Sequence, residues 1–236
     1  MLKESEKSNR TVVVCSGGLD SVTLAYRIAC ESELVMLLSF DYGQKHLKEL
    51  EFASKAAAAL AATHKVIDLT SVGQELSKSA LTGSQVDIPD GHYAEDNMRV
   101  TIVPNRNTIM LAVAFGLAAN IEAQTVAIAV HGGDHFIYPD CRPGFIDSFQ
   151  EMQRLALDGV ANIELRAPFL NYSKSEIVFE GSELGVPFED TWSCYKGDEL
   201  HCGRCGTCVE RQEAFDLAKV VDPTEYADKE FWKTTS

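Results

Sequence analysis

The chain has 236 residues, 45% of them hydrophobic, and a formal net charge of −14. This length suits one large domain or a domain with an appendage, and the strong negative charge argues against broad affinity for nucleic acids or anionic membranes. The apolar stretches are too short to span a bilayer, so no membrane partner is expected. Residues 1–10 lack the apolar core of a signal peptide, and seven cysteines without such a signal indicate a reducing, cytoplasmic compartment.

Strand and helix patterns alternate along most of the chain. The predicted strands are residues 11–15, 34–40, 65–69, 125–130 and 164–170, and the predicted helices are residues 21–31, 44–62, 105–120, 144–157 and 173–184. Ser173 and Glu176 form the capping-box pattern at the start of the last helix. Residues 70–100 are polar and irregular, with one short helix at most, and we expect them to cover a site; residues 131–143 are expected to be a loop.

This alternation predicts a doubly wound α/β domain with a parallel sheet over residues 11–185, after a polar tail at residues 1–10. The composition shifts near Gly185, where four of the seven cysteines, two prolines and both tryptophans follow. Residues 186–236 are therefore expected to form a separate segment that packs on the domain.

A glycine loop follows the first predicted strand. Its residues are Ser16, Gly17, Gly18, Leu19, Asp20 and Ser21. A loop between a strand and a helix presents backbone N–H groups to an anion, and two glycines allow a ligand to approach closely. The loop lacks the lysine of the familiar P-loop, while Asp20 could contact a phosphate only through a cation, which predicts Mg²⁺. The plainer interpretation is an ordinary turn between a strand and a helix.

Four cysteines near the C-terminus have the spacing of a metal site. They are Cys194, Cys202, Cys205 and Cys208. Four thiolates can surround a tetrahedral Zn²⁺ and leave no open position, which predicts a structural zinc site. His201 is a rival fourth ligand, an iron–sulfur cluster is the other metal interpretation, and free or disulfide-bonded thiols are the plain alternative. Cys15 and Cys30 are expected in the core.

Further polar groups stand at predicted strand and helix ends. Arg106 and Asn107 lie at a helix start, where an anion can bind, although simple capping by Asn105 would also explain the pattern. Asp140 and Arg142 share a loop and could form a surface ion pair, or could clamp a planar carboxylate while Asp140 accepts N–H groups from a base.

The glycine loop resembles the pyrophosphate loop of the N-type ATP pyrophosphatases, which split ATP into AMP and pyrophosphate. The ordered set of the loop, residues 41–46, residues 103–107, residues 138–142, residues 191–195 and the four cysteines is similar to the 7-cyano-7-deazaguanine synthase family of queuosine biosynthesis. The resemblance covers about Val12 to Phe215. It implies an adenine nucleotide alpha hydrolase-like fold with a C-terminal zinc-binding helical segment.

The resemblance also implies the reaction. ATP, ammonia and 7-carboxy-7-deazaguanine would be the substrates, and adenylation would activate first the carboxylate and then the amide. The resemblance suggests that Lys174 reaches the phosphates, so the expected catalytic residues are Asp20, Lys174 and Arg106. The loop residues would bind ATP, and Asp140, Arg142 and Asn107 would bind the deazaguanine. Small molecules would be the partners, free ammonia would supply the nitrogen, and a homodimer would be compatible with the family.

Three other functions remain open on the sequence. A tRNA thiolase would use Cys141 or Cys15 to carry sulfur, but the negative charge opposes RNA binding. An ATP-dependent amidase of the NAD synthetase kind would share the loop and differ in the acid substrate. A nucleotide-sensing zinc module without catalysis would bind ATP but release no pyrophosphate.

Overall fold

A computed structural model of the protein describes residues 9–45, 47–76, 78–82, 87–92, 96–197 and 199–234. Within these residues one sheet is formed by five strands: β1 (Arg10–Val14), β2 (Glu33–Asp41), β3 (Thr63–Asp68), β4 (Thr125–Ala127) and β5 (Glu164–Arg166). All neighbouring strands are parallel, in the order β3-β2-β1-β4-β5. The predicted parallel α/β class is confirmed.

Helices cover both faces of the sheet. The α-helices of the described residues are α1 (Leu19–Glu31), α2 (Lys48–Ala59), α3 (Thr70–Glu75), α4 (Arg106–Asn120), α5 (Pro143–Ala156), α6 (Lys174–Glu183) and α7 (Gly206–Ala218). Val12 and Val13 on β1 point to opposite faces, because successive strand residues alternate. Val12 packs with Leu111 of α4, whereas Val13 packs with Leu24 of α1 and Ile177 of α6. The sheet is therefore buried on both sides, as a doubly wound fold requires.

The strand order creates a crevice between β1 and β4. The chain runs outward from β1 through β2 to β3, and then crosses back to place β4 on the other side of β1. The connections after β1 and β4 therefore leave the sheet toward opposite faces. Ligands of open α/β sheets bind at such a switch point, at the carboxyl ends of the strands.

Three predicted boundaries are corrected. Helix α2 begins at Lys48 rather than at residue 44, because Gln44 closes the turn after β2 by accepting a hydrogen bond from the Tyr42 amide and donating one to the Phe40 carbonyl. Strand β5 ends at Arg166 rather than at residue 170, since Pro168 has no N–H for a sheet bond. Strand β4 also ends early, at residue 127, where β5 stops pairing with it.

The remaining differences concern loops. The loop predicted at residues 131–143 contains two short 3₁₀ turns, Gly132–Phe136 and Pro139–Cys141. The segment at 70–100 lies partly outside the described residues, as do His46 and most of the polar tail, so the covering role expected for that segment stays a prediction. The capping box of Ser173 and Glu176 at the start of α6 is confirmed.

One stretch is long and apolar enough to span a membrane by length and composition. It is Met98–Asn120, with 23 residues and a mean hydropathy of 1.3, so the expectation that every apolar stretch is too short is wrong on that criterion. Most of the stretch is α4, whose residues Leu111, Ala114 and Phe115 are fully buried against the sheet. Its apolar character is accounted for by this packing.

The C-terminal segment packs on the sheet domain. Helix α7 lies against α6, and the rings of Phe188 and Phe215 meet edge to face at 4.9 Å. Both rings belong to the same buried cluster as Val13 of β1. The division at residues 185/186 stays a prediction, but the two parts share one core.

Candidate active site

The glycine loop lies at the switch point, between the end of β1 and the start of α1. Ser21 Oγ accepts a hydrogen bond from the Ser16 amide at 3.2 Å and donates one to the Gly18 carbonyl at 3.1 Å. Gly18 is the N-cap of α1 and has no side chain to satisfy the first amides of the helix. These amides stand at the positive end of the helix, beside a cavity lined by Ser16, Gly18, Leu19, Asp20 and Ser21. The loop therefore has the local structure of an anion site.

Gly17 is fixed by its surroundings. Its φ is +86°, which only glycine adopts without strain, and an added Cβ would lie 2.1 Å from the Glu49 carbonyl oxygen. Its own carbonyl accepts a hydrogen bond from the Trp192 amide at 2.9 Å. The loop is thus held between α2 and the C-terminal segment.

Asp20 and Lys174 form the charged centre of the cavity. Lys174, the first residue of α6, places Nζ 2.5 Å from Asp20 Oδ2, 3.3 Å from His131 Nε2 and 3.4 Å from Glu210 Oε2. Burial alone lowers the pKa of Lys174, but the carboxylates of Asp20 and Glu210 raise it overall. Burial alone raises the pKa of Asp20, yet Lys174 and His131 lower it overall. Both groups are therefore ionised at neutral pH.

Carboxylates outnumber lysines at this centre. Asp20, Asp134 and Glu210 line the same cavity around the single lysine cation of Lys174. Asp20 Oδ1 is buried and has no hydrogen-bond partner among the described residues. An orphaned carboxylate oxygen in an acidic pocket is the kind of ligand that Mg²⁺ prefers, so these residues fit a magnesium ion.

A second wall of the cavity surrounds Arg106 at the start of α4. Its guanidinium lies 5.8 Å from the centre of the Tyr138 ring. Burial alone lowers the pKa of Arg106, and the nearby tyrosines, Tyr42 and Tyr195 foremost, raise it overall, so the cation persists. Burial raises the pKa of the Glu49 carboxyl to about 8, even though Arg106 lowers it in part.

The residues predicted to hold the deazaguanine lie close together, but only Asn107 lines the cavity. Asp140 Oδ2 accepts a hydrogen bond from the Asn107 amide, and Asn107 Nδ2 donates to the Asp140 carbonyl, both at 3.0 Å. Asp140 therefore caps α4, whereas Asn105, with a φ of +60°, makes no side-chain cap. Arg142 is exposed and donates to the His135 carbonyl at 2.9 Å.

The four predicted metal ligands do converge. Their sulfur atoms all lie within 4.8 Å of one another, with Cys194 and Cys205 at 4.0 Å and Cys202 and Cys208 at 3.9 Å. Backbone amides point at the sulfurs, as the amides of residues 196, 197 and 202 do at Cys194 Sγ. Such donors favour the thiolate, which is the ligand form. The cluster can therefore bind a metal ion.

The other candidate thiols and the rival ligand lie elsewhere. His201 is outside the cluster. Its Nε2 accepts a hydrogen bond from the Ser193 amide at 3.2 Å, and its ring packs at a tilt of 43° against Trp192, with the ring centres 4.2 Å apart. Cys15 is buried as expected, but Cys30 is exposed, so its predicted core position is wrong. Cys30 lies two residues after the buried Ile28 of α1, which places it on the opposite side of the helix.

Sequence reasoning missed four cavity residues that come from the segments around the loop: Glu49, Tyr195, Thr207 and Glu210. Glu49 stands three and four positions before Phe52 and Ala53, which are buried on α2. A carboxylate on the apolar face of a helix is unusual, and this could have marked Glu49 as a candidate site residue from the sequence. Glu210 gave no such signal, because α7 buries residues around most of its circumference.

A parallel α/β sheet with a glycine loop at its switch point is typical of enzymes that bind nucleotides. A buried lysine–carboxylate centre lies in the same cavity as this loop, and a four-cysteine cluster that could hold a metal ion lies in the C-terminal segment. The family model described as "Queuosine biosynthesis protein QueC" matches residues 10–219. The chain belongs to this family.

Curated relatives agree over nearly the full length. A 7-cyano-7-deazaguanine synthase of Rhizobium etli is 64% identical over 227 residues, which are 96% of each chain. The Brucella anthropi synthase is 63% identical over 95% of this chain and 97% of its own. Among solved structures, the NMN synthetase of Francisella tularensis aligns over 96% of this chain and 84% of its own, at 17% identity and a TM-score of 0.44. The resemblance inferred from the motifs is confirmed, and with it the assignment to the synthases of queuosine biosynthesis.

Proposed function

We propose that this chain converts 7-carboxy-7-deazaguanine, ammonia and ATP into 7-cyano-7-deazaguanine through an adenylated carboxylate and an adenylated amide. The observation that carries the proposal is the meeting, in one crevice at the β1/β4 switch point, of the glycine loop with Lys174 and Arg106. This arrangement supplies amides and two cations where negative charge develops at phosphorus. Family membership supplies the acid and the product.

The ATP end of the site would stabilise charge on the phosphates. The amides of residues 17–21 would bind the pyrophosphate, with the Ser16 and Ser21 hydroxyls alongside. Lys174 and Arg106 would neutralise charge as pyrophosphate leaves. Mg²⁺, held by Asp20 through its unpartnered Oδ1, would neutralise phosphate charge as a Lewis acid when bound.

The acid would bind on the side of the crevice formed by α4. A carboxylate oxygen of the acid attacks the α-phosphorus of ATP and pyrophosphate departs. Ammonia then attacks the carboxyl carbon, AMP leaves, and the amide forms. The amide oxygen attacks the α-phosphorus of a second ATP, pyrophosphate departs, and the nitrogen loses one proton. The C–O bond then breaks, AMP leaves with that oxygen, and loss of the last N–H proton gives the nitrile. We assign Asn107 and Asp140 to the base edge of the deazaguanine and Arg142 to its carboxylate.

We propose that the four-cysteine site holds structural Zn²⁺. Tetrahedral Zn–S bonds of about 2.3 Å place thiolates about 3.8 Å apart, and the 3.9 and 4.0 Å separations support this geometry. A cubane iron–sulfur cluster would have to fit between the thiolates and needs a wider set. Metal analysis of the purified protein tests the assignment.

The thiolase alternative is disfavoured by the state of the two cavity thiols. Burial, first of all, raises the pKa of both Cys15 and Cys141, which reduces the thiolate that sulfur transfer would need. We therefore propose small molecules as the partners, in a reducing cytoplasm and without nucleic acid. The homodimer stays a prediction, which sedimentation would test.

Mass spectrometry of the product with ¹⁵N-ammonia tests the function. Wild-type protein should add one labelled nitrogen to the acid and release two AMP per nitrile. Asp20→Ala should abolish ATP cleavage, while Arg142→Ala should weaken acid binding and spare nucleotide binding. Arg154→Ala, an exposed arginine on α5 that pairs with Glu151, is the matched control. Labelled product that requires a sulfur donor, or turnover with a different acid only, would refute the proposal.

A further inference from the structure

In the proposed reaction the same nitrogen loses protons at two stages, first during amide formation and again during conversion of the amide to the nitrile. When ammonia attacks the adenylated acid, the C–N bond forms, the C–O bond to AMP breaks, and the nitrogen loses a proton. When the amide oxygen attacks the second ATP, the nitrogen loses its second proton. When the adenylated amide then collapses, the C–O bond to AMP breaks and the nitrogen loses its third and last proton as the triple bond forms. A base that faces this nitrogen would serve each of these steps.

Most carboxylates that line the cavity are already engaged. Asp20 and Glu210 pair with Lys174, and Asp134 lies 3.6 Å from His131. Glu49 also lines the cavity, but no hydrogen bond or ion pair within the described part of the chain engages its carboxyl. Its side chain is available to accept a proton from a ligand.

Glu49 also lies where the two substrates must meet. It belongs to the first turn of α2, and its carbonyl oxygen lies so close to Gly17 that no Cβ fits between them. Its carboxyl is close enough to Arg106 for that cation to act on its pKa. Glu49 thus stands between the phosphate loop and the wall proposed to hold the acid.

We propose that Glu49 is the general base that takes the protons from the nitrogen nucleophile and then from the amide nitrogen. The assignment rests on the proposed function and extends it. Each proton moves to a Glu49 carboxylate oxygen and then to solvent through the open cavity, so that the base is restored before the second half begins. AMP carries away the oxygen in both steps.

The surroundings set the basicity of this group. Burial raises the pKa of Glu49 to about 8, and Arg106 on α4 opposes that rise. Cys15 directly after β1, Tyr42 after β2 and Tyr195 in the C-terminal segment also face it, and all three are neutral at pH 7, since burial raises their pKa values. A carboxyl whose pKa is close to the working pH is a stronger base than an exposed one.

The test supplies the amide directly, in the absence of ammonia, so that ammonium ionisation cannot affect the pH profile. Glu49→Gln should lower nitrile formation from the amide at least about 100-fold, which is the usual range for loss of a general base. The wild-type rate should rise as pH increases through about 8, and the variant should lose this rise. Glu51→Gln, an exposed position two residues further along α2, should match wild type.

Two further measurements separate this role from a structural one. Exchange of labelled pyrophosphate into ATP, dependent on the acid, reports adenylation alone and should survive Glu49→Gln. Hydroxylamine, which is neutral at pH 7, should still trap the adenylated acid as a hydroxamate. If Glu49→Gln lost exchange and nitrile formation equally, or retained nitrile formation with the wild-type pH profile, the assignment would be wrong. If wild type itself made no nitrile, the proposed function would fail first.

Discussion

Substitution of Gly17 by alanine tests whether the loop is shaped by its contact with α2. Two costs follow from the structure. The positive φ of +86° is unfavourable for alanine, by about 1–2 kcal/mol. The new Cβ would also lie 2.1 Å from the Glu49 carbonyl oxygen and 2.7 Å from the Ala53 nitrogen, which are backbone atoms that cannot rotate away. Overpacking of this kind costs about 1–3 kcal/mol.

The two costs together amount to about 2–5 kcal/mol, which would lower the melting temperature of a chain of this size by about 4–20 °C. Thermal unfolding followed by circular dichroism measures the shift, and acid-dependent pyrophosphate release should fall with it because the loop amides move. Gly18→Ala is the matched control for stability. Gly18 has φ −77°, and a Cβ added there would lie 3.3 Å from the Ser16 hydroxyl and 3.5 Å from the Trp192 carbonyl oxygen. Equal melting temperatures for the two variants would refute the reasoning.

Three other predictions address the lysine, the metal site and a buried arginine. Lys174→Met should reduce pyrophosphate release by about 100-fold or more, whereas Lys219→Met, an exposed lysine just after α7, should not; equal rates would exclude a role in catalysis. Cys208→Ser should remove the bound metal and lower the melting temperature, while the exposed Cys30→Ser should change neither the metal content nor the stability. Arg211→Met should destabilise the protein by about 3–5 kcal/mol in urea unfolding, because it leaves the largely buried Asp222 carboxylate without its cation and two buried oxygens without their donor; a change below about 1 kcal/mol would contradict this.

Local rules identified most of the sheet domain from the sequence. The Val12–Val14 run and the two glycines that follow predicted a strand, a loop and a helix. The prediction succeeded because β-branched residues and glycines influence the backbone conformation of their immediate neighbours. The predicted element boundaries were wrong where a side-chain hydrogen bond or a proline determined the end of a strand. Gln44 ends β2 through its own side chain, and Pro168 ends β5 by lacking a donor.

The site was predictable only where its residues share a segment. Ser16 to Ser21 and the four cysteines are short-range patterns, and both form as units. Glu210 contacts Lys174 because α7 packs on α6. This is a tertiary contact, which the spacing of residues in the sequence does not reveal. The same limit applies to Asp140, which caps α4 through the Asn107 amide, a contact between two segments that are 33 residues apart.

The four-cysteine cluster and the proposed active site are connected by direct contacts, although the composition shift at Gly185 separates them in sequence. Trp192, two residues before the first metal ligand, donates its amide to the Gly17 carbonyl. Glu210, two residues after the last ligand, contacts Lys174. A metal ion bound by the four sulfurs would therefore also fix two groups of the proposed ATP site. Metal loss should reduce catalysis before the sheet unfolds, because the cysteines belong to a different buried cluster from the one that α1, α6 and the strands share with Phe188 and Phe215.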